Sequence, residues 1–259
     1  MQFLRDIPLP VKRKAHKNTT PKWKALTNTA PSEFFRKDRV CIFHHIPKCG
    51  GTSVINVLGS WFFVVEDYRP MEEDERYFTN RIKINSLKNY QCLSGHFDTD
   101  GIYLHQRYPE VFTDSRFKTM TFVRDPLKVK ISLYYFEQKY GLNNGISLEK
   151  HLMGRHNYIA NRLPCTRDNY REALNSYFFV GITEFLQESM DQLASLLNKP
   201  TVRVPMFNPS GKDGQVCVLS QSVLEDFKDK NELDYLVYQY CLDKHRILKR
   251  QQTVGNKKI

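Results

Sequence analysis

The chain of 259 residues sets 39 Lys and Arg against 28 Asp and Glu, a formal charge of +11, and is 41% hydrophobic and 13% aromatic. That composition excludes a disulfide-held miniprotein and a disordered chain, because the bulky apolar side chains suffice to build a core without cross-links. The longest apolar run, around Trp61-Phe62-Phe63-Val64-Val65, is far shorter than the roughly 20 residues that cross a bilayer. No charged-then-apolar leader opens the chain, so it reads as soluble and unprocessed.

In chain order, residues 1–37 hold Pro8, Pro10, Pro21, Pro31 and a basic stretch at Lys12, Arg13, Lys14, His16 and Lys17, without periodicity. They read as a basic arm, with Trp23 as its anchor. Val40-Cys41-Ile42-Phe43 is a short apolar run leading to Pro47 and Gly50-Gly51, after which Thr52 and Ser53 open a helical stretch through Val54, Ile55, Val57 and Leu58. Strand, glycine loop and helix follow one another there. An acidic, polar stretch at Glu72 to Asn85 precedes a second short strand, Gln91 to Phe97, that contains Gly95.

Lys118 to Val123 predicts a third strand, followed by Arg124-Asp125-Pro126 and a helix through Leu127, Ile131, Tyr134 and Tyr135. Asp125 is placed to cap that helix and Pro126 to sit in its first turn, where a missing N–H costs nothing. Tyr177 to Gly181 predicts a fourth strand, leading into a helix with Phe185, Met190, Leu193, Leu196 and Leu197 on its apolar side. Val202 to Met206 is expected as one more strand and Ser220 to Lys249 as one helix, and no internal repeat is visible. Strands alternating with helices predict an α/β domain over residues 38–249, a mainly parallel sheet with helices on both faces, ahead of a flexible basic tail at 250–259.

In such a sheet, ligands bind where strands end and helices begin, because backbone N–H groups and the positive helix end face outward there. The most unusual segment, His44-His45-Ile46-Pro47-Lys48-Cys49-Gly50-Gly51-Thr52-Ser53, lies at such a point. Two glycines let backbone approach an anion, Thr52 and Ser53 offer hydroxyls, and Lys48 supplies a charge. It is a phosphate cradle, but not the nucleotide-triphosphatase loop, because the lysine precedes the glycines. A second anion site is expected from Arg124 at a strand end and Ser132 eight residues later, where a guanidinium fork and a hydroxyl converge on one more phosphate. The positive charge agrees with an anionic partner: a polyphosphorylated nucleotide, nucleic acid, an acidic polysaccharide or an acidic membrane surface. The six cysteines form no CxxC pair and read as buried or free thiols of a reducing compartment, with no metal site.

Taken in this order, the segments resemble the sulfotransferases that use 3′-phosphoadenosine 5′-phosphosulfate (PAPS), in particular the glycan branch of heparan sulfate 2-O- and 6-O-sulfotransferases. The resemblance rests on His45 to Ser53, similar to the family's 5′-phosphosulfate loop, and on Val123-Arg124-Asp125-Pro126 through Ser132-Leu133-Tyr134-Tyr135, similar to its 3′-phosphate segment. Gly95-His96-Phe97 and Phe179 to Glu184 are similar to two further family segments, and the whole likeness spans residues 39–245. It implies a P-loop-like three-layer α/β/α fold. Lys48, Cys49, Gly50, Gly51, Thr52 and Ser53 would hold the 5′-phosphosulfate end, and Arg124 and Ser132 the 3′-phosphate. The segment Phe207 to Lys212 is similar to a family loop that closes near the cofactor, interrupted here by Pro209.

Sulfonate transfer from a phosphosulfate to an alcohol shifts charge onto the leaving phosphate oxygen and takes a proton from the acceptor. It therefore needs a cation, fixed N–H donors and a general base, but no metal. Lys48 suits the first role. The resemblance makes His96 the base, with His44 and His45 as rivals flanking the cradle, and Glu66 and Asp98 behind them. Tyr158, Asn161 and Arg162 lie in a segment similar to the family's acceptor side. The implied acceptor is a hydroxyl of a carbohydrate, an acidic glycan among the candidates, with a small-molecule alcohol as the alternative; a nucleotide kinase and a basic nucleic-acid-binding protein are readings of other classes. The protein is expected in the cytoplasm, or in the Golgi lumen only if an N-terminal anchor has been removed, where the Asn18-Thr19-Thr20 sequon would count.

Overall fold

Every residue of Val40–His44 is buried, as a strand covered on both faces requires, and its neighbours explain why. In the computed structural model, which describes residues 39–68, 81–97, 103–205 and 219–255 (side chains to 247), five strands form one sheet: β1 Val40–His44, β2 Phe63–Glu66, β3 Gln91–Gly95, β4 Phe117–Val123 and β5 Phe179–Ile182. Their order is β2-β3-β1-β4-β5, and each neighbouring pair is parallel. β1 thus lies at the centre, with Phe43 opposite Ser94 on one side and Met120 on the other.

Alternate residues of the central strands feed two cores. On one face Cys41, Phe43, Cys92, Met120 and Phe122 meet Val54, Val57, Leu58 and Trp61 of helix α1 (Gly51–Trp61) and Met190, Leu193 and Ala194 of the helix Leu186–Leu197. On the other face Val40, Ile42 and Leu93 pack beneath Leu104, Tyr108 and Val111 of two one-turn helices, α2 (Leu104–Arg107) and α3 (Glu110–Thr113). Farther along that face, Val123 and Ile182 pack with Val129 of α4 (Pro126–Lys139), Leu174 of a six-residue helix (Tyr170–Asn175), and Val237 and Cys241 of the C-terminal helix (Glu232–Gly255). Two-sided cover by helices makes the architecture a three-layer α/β/α sandwich, as the alternation of patterns predicts. Taken with the short helix Leu148–Leu152, the helices after α4 are α5 (Leu148–Leu152), α6 (Tyr170–Asn175), α7 (Leu186–Leu197), α8 (Gln221–Lys230) and α9 (Glu232–Gly255).

The predicted cap of α4 is present: the Asp125 carboxylate accepts from the Lys128 N–H at 3.0 Å, with Pro126 in the first turn. Three sequence expectations need correction. Residues 201–205 form no strand, because the Gln187 side chain takes the place of a strand partner: Val204 N–H donates to its Oε1 at 2.8 Å and its Nε2 donates to the Val202 carbonyl at 3.1 Å. The expected single helix from Ser220 breaks at Asn231, which is fully buried and turned inward. Its Nδ2 donates to the Phe227 carbonyl at 2.7 Å while its Oδ1 accepts from Asn157 N–H at 2.8 Å, so the break fastens α8 and α9 to a distant loop. The run Trp61 to Val65, read only as apolar, ends α1 and then enters an edge strand, Phe63–Glu66, whose Phe63 stays 66% exposed. The arm at 1–37, Trp23, the sequon at Asn18, Met206, Phe207 to Lys212, Cys217 and Asp98 lie outside the described residues. The other five cysteines are free, as expected.

Gly181 lies on β5 where an added Cβ would overlap the Phe122 ring on the neighbouring strand. The Gly181→Ala protein should lose about 2 kcal/mol of stability by overpacking, measured as a lower urea midpoint with an unchanged slope.

Candidate active site

In this sheet the chain leaves β1 toward β2 and leaves β4 toward β5, in opposite directions. The carboxyl ends of β1 and β4 therefore border the crevice that opens at the point where strand order reverses. The Lys48–Ser53 loop follows β1 and Arg124 follows β4, so the fold brings the two predicted anion segments to one crevice.

The loop's shape follows from its glycines and from strain. Cys49 N–H donates to the Ile46 carbonyl at 3.3 Å, closing a turn in which Lys48 takes φ 68. A non-glycine residue in the left-handed region costs on the order of 1 kcal/mol, a strain that clusters at ligand sites. Gly50 then takes φ 77 and caps α1, without any side-chain hydrogen bond to the helix end and without an acidic residue in its first turn. Its first N–H groups and dipole can therefore accommodate an external anion. Gly51 lies under the His45 ring, which would overlap a Cβ built there. Thr52 is exposed and Ser53 is buried, so only the Thr52 hydroxyl reaches solvent directly.

The cations surround this turn. Arg124 Nη1 donates to the Lys48 carbonyl at 3.3 Å, linking the β1 and β4 loops. Lys48 Nζ lies 4.3 Å from the ring centre of Phe136 on α4. Ser132 precedes Phe136 by four residues and so lies on the same helix face, partly buried. Arg162 stacks over Tyr158, with Cζ 3.7 Å from the ring centre, and donates to the Tyr158 carbonyl at 2.8 Å. Its charge reaches His44, Cys49 and Asp234. The segment that carries it is held by Asp234 of α9, whose carboxylate accepts from Ile159 N–H at 3.1 Å and Ala160 N–H at 2.7 Å. Burial nevertheless pushes that carboxyl up to about 6. Tyr158 is 7% exposed and covered by Arg162, whereas Asn161 is exposed with its amide donating to the His156 carbonyl.

Histidines converge at the same strand ends. His45 and His96 have ring centres 4.5 Å apart, and Tyr68 meets the His96 ring edge-on at 4.8 Å. His45 stacks on Phe43 at 5.5 Å, its Nδ1 is 3.0 Å from the Tyr68 hydroxyl, and that hydroxyl is 2.8 Å from Ser94 Oγ. Phe97, after His96, takes φ 55, a second strained turn beside the first. His44 is different. It is fully buried, with Nδ1 2.9 Å from the Tyr177 hydroxyl and Nε2 without a partner, so it has no access to an acceptor molecule. Glu66, on the edge strand, is exposed. Among the described residues no group of three or more His, Cys, Asp and Glu side chains is arranged to hold a metal ion, and no helix is long and apolar enough to cross a membrane.

Sequence reasoning missed Tyr68, Ser94 and the buried pair beneath them. The Asp67 carboxylate accepts from Arg107 Nε at 2.9 Å and Nη2 at 3.0 Å, and from the Tyr108 hydroxyl at 2.7 Å. Asp67 N–H also donates to the Ser94 carbonyl at 2.8 Å, so this pair fixes the end of β2 against β3. No pattern around Asp67 or Tyr68 signals a site; only Ser94, one residue before the Gly95-His96 pair, lay within a marked segment.

No protein-family model matches the chain, and no curated protein matches it. Among solved structures it is similar to a sulfotransferase from Alicyclobacillus acidocaldarius, at 13% identity and a TM-score of 0.49 over 77% of this chain and 93% of that one. It is also similar to the mouse sulfotransferase SULT7A1 complexed with PAP, at 12% identity and a TM-score of 0.48 over 78% of this chain and 89% of that one.

Burial lowers both His44 and His45 from 6.5 to about 3, with neighbouring positive groups adding to the effect. The unfolded chain therefore binds protons at these positions below its ordinary value, while the folded chain stays neutral until about 3. Stability is full above pH 6.5 and falls as pH drops through this window, by up to ~1.4 kcal/mol per pH unit for each histidine. Asp234, raised from 3.8 to about 6, opposes part of this fall, since the folded state holds its proton first. Urea denaturation at pH 7, 6 and 5 should show the loss, and the His44→Gln protein should show a slope shallower by about one proton.

Proposed function

We propose that this protein is a sulfotransferase that moves the sulfonate of PAPS to an acceptor hydroxyl, a carbohydrate hydroxyl first among them. The observation that supports this most is the link from Arg124 Nη1 to the Lys48 carbonyl. It sets a guanidinium fork beside a glycine turn that opens a helix with no side-chain cap, two elements suited to anions on adjacent strand ends. A donor with a phosphosulfate at one end and a separate 3′-phosphate matches two such elements; a simple triphosphate needs only the first.

The residues divide the work by chemistry. N–H groups at the start of α1, with Gly50, Gly51, Thr52, Ser53 and Cys49 shaping the turn, hold the 5′-phosphosulfate end, and Arg124 and Ser132 hold the 3′-phosphate. Lys48 stabilises the charge that develops on the leaving phosphate oxygen, a role for a compact ammonium rather than a planar fork. His96, partly buried and at the end of β3, is the general base that takes the acceptor's proton. Arg162, with Tyr158 and Asn161 beside it, faces the acceptor, where a guanidinium suits an acidic sugar. Nothing in this chemistry calls for a metal.

Isothermal titration should show 3′-phosphoadenosine 5′-phosphate (PAP) binding more tightly than ATP, and Arg124→Ala should weaken PAP by about ten- to a hundredfold, the value of a hydrogen bond to a charged group. Tighter ATP binding, or an unaffected Arg124 variant, would sink the reading. A radiolabelled-sulfate screen over polysaccharides and small alcohols identifies the acceptor. With that acceptor, His96→Ala should lose about 10²- to 10⁴-fold in kcat with little change in PAP affinity, whereas Lys48→Ala should impair both.

A further inference from the structure

The Tyr68 hydroxyl stands between Ser94 Oγ, at 2.8 Å, and His45 Nδ1, at 3.0 Å, and the edge of the His45 ring that bears Nε2 lies over Gly51 at the start of α1. We propose that Tyr68 is a positioning residue: with an anion in the α1 loop, Ser94 donates to Tyr68 and Tyr68 donates to His45 Nδ1, so that His45 presents Nε2–H to that anion. This rests on the functional reading above only for the identity of the anion.

The chemistry leaves His45 two neutral forms. Its pKa of about 3 keeps it unprotonated near neutral pH, so one ring nitrogen carries a hydrogen and the other a lone pair. The hydrogen bond made by one nitrogen sets the role of the other. Tyr68 keeps its phenolic hydrogen, burial having pushed it up to about 12, and Ser94 has a hydroxyl hydrogen of its own. Each hydroxyl both donates and accepts, so the three-membered chain runs in one of two directions. Running from Ser94 toward His45, it leaves Nε2 as a donor; running the other way, it leaves Nε2 as a lone pair. A lone pair facing a bound phosphate or sulfonate is repulsive, while an N–H at that place adds a charge-assisted hydrogen bond. Anion binding therefore selects the first direction.

The rest of the local structure serves this orientation. Stacking on Phe43 and the His45 N–H donated to the Gly95 carbonyl at 2.9 Å hold the ring and its backbone. The Asp67–Arg107 pair fixes the chain one residue before Tyr68. Tyr68 also packs against His96, so one side chain touches both histidines and keeps their tasks apart: His45 toward the anion, His96 toward the acceptor.

The test is long-range ¹⁵N NMR of histidine-labelled protein, with His45 assigned through a His45→Gln variant, in the presence of PAP and, separately, of inorganic sulfate. The expected result is Nε2–H at His45 with either anion bound, loss of that tautomer preference in Tyr68→Phe, and its retention in Ser94→Ala, where His45 Nδ1 is the acceptor left to the Tyr68 hydroxyl. PAP affinity should fall about tenfold in Tyr68→Phe. His45→Gln, whose amide nitrogen replaces Nε2, should keep most of the affinity, and His45→Asn, whose amide replaces Nδ1, should lose it. A bare Nε2 with both anions bound, or a Tyr68→Phe protein of wild-type tautomer and affinity, overturns the assignment. Failure to bind PAP while sulfate still selects Nε2–H would refute the nucleotide reading and leave the Tyr68 assignment standing. Thermal melting of both hydroxyl variants separates a lost relay from a lost fold.

Discussion

Crowding at Gly51 governs the site. The chain must turn from the central strand into α1 within six residues, and the His45 ring occupies the place where any side chain at 51 would go. One constraint thereby fixes three things: the helix start is bare backbone, the histidine lies flat on Phe43 against it, and the lysine two residues before Gly50 takes a left-handed conformation that a relaxed loop would avoid. A larger residue at 51 would displace the ring rather than the helix, because α1 is anchored by Val54, Val57 and Leu58 in the core.

Electrostatics follow from that packing. Three basic side chains, Lys48, Arg124 and Arg162, gather near the ends of the strands, and each additional positive charge there would raise their mutual repulsion. The nearby histidines relieve this by staying neutral: His44 and His45 are held far below their ordinary titration by burial. The strand ends thus combine lysine and arginine side chains with neutral rings that can donate or accept hydrogen bonds. Asp234 completes the arrangement from the opposite side. It holds the backbone at Ile159 and Ala160 that carries Arg162, and gives the guanidinium a buried counterpart.

The C-terminal half also determines where Arg162 lies relative to His44 and Cys49. The break at Asn231 turns α8 into α9 and at the same point binds Asn157 through backbone and side chain. Lys130, buried on α4, donates to the Gly154 carbonyl at 2.7 Å from the other side. The loop between α5 and α6 is therefore clamped from two helices, and its cation is placed by contacts more than seventy residues apart in sequence.

The alternation of short β-branched runs with amphipathic stretches was enough to read the parallel sheet and its two helical layers, because burial on both faces leaves near-continuous apolar strands such as Val40 to His44. Gly50-Gly51 beside Lys48 marked the turn into α1, and Asp125-Pro126 after Arg124 marked the start of α4, since local backbone geometry and capping are written in neighbouring residues. Pairings between distant residues were not legible. The edge strand at Phe63 lacks alternation, and Gln187 replaces a strand partner for residues 202–204 through its side chain. His44 and His45 are adjacent in sequence, yet the pleat sends one into the core against Tyr177 and the other over the loop. Tyr68 and Ser94 become a pair only when β2 and β3 align in register. Sequence by itself determined the layers, the glycine turn and the types of charge; the tertiary structure alone decided which hydroxyls and histidines meet, because those contacts depend on strand register and helix packing, which no local pattern encodes.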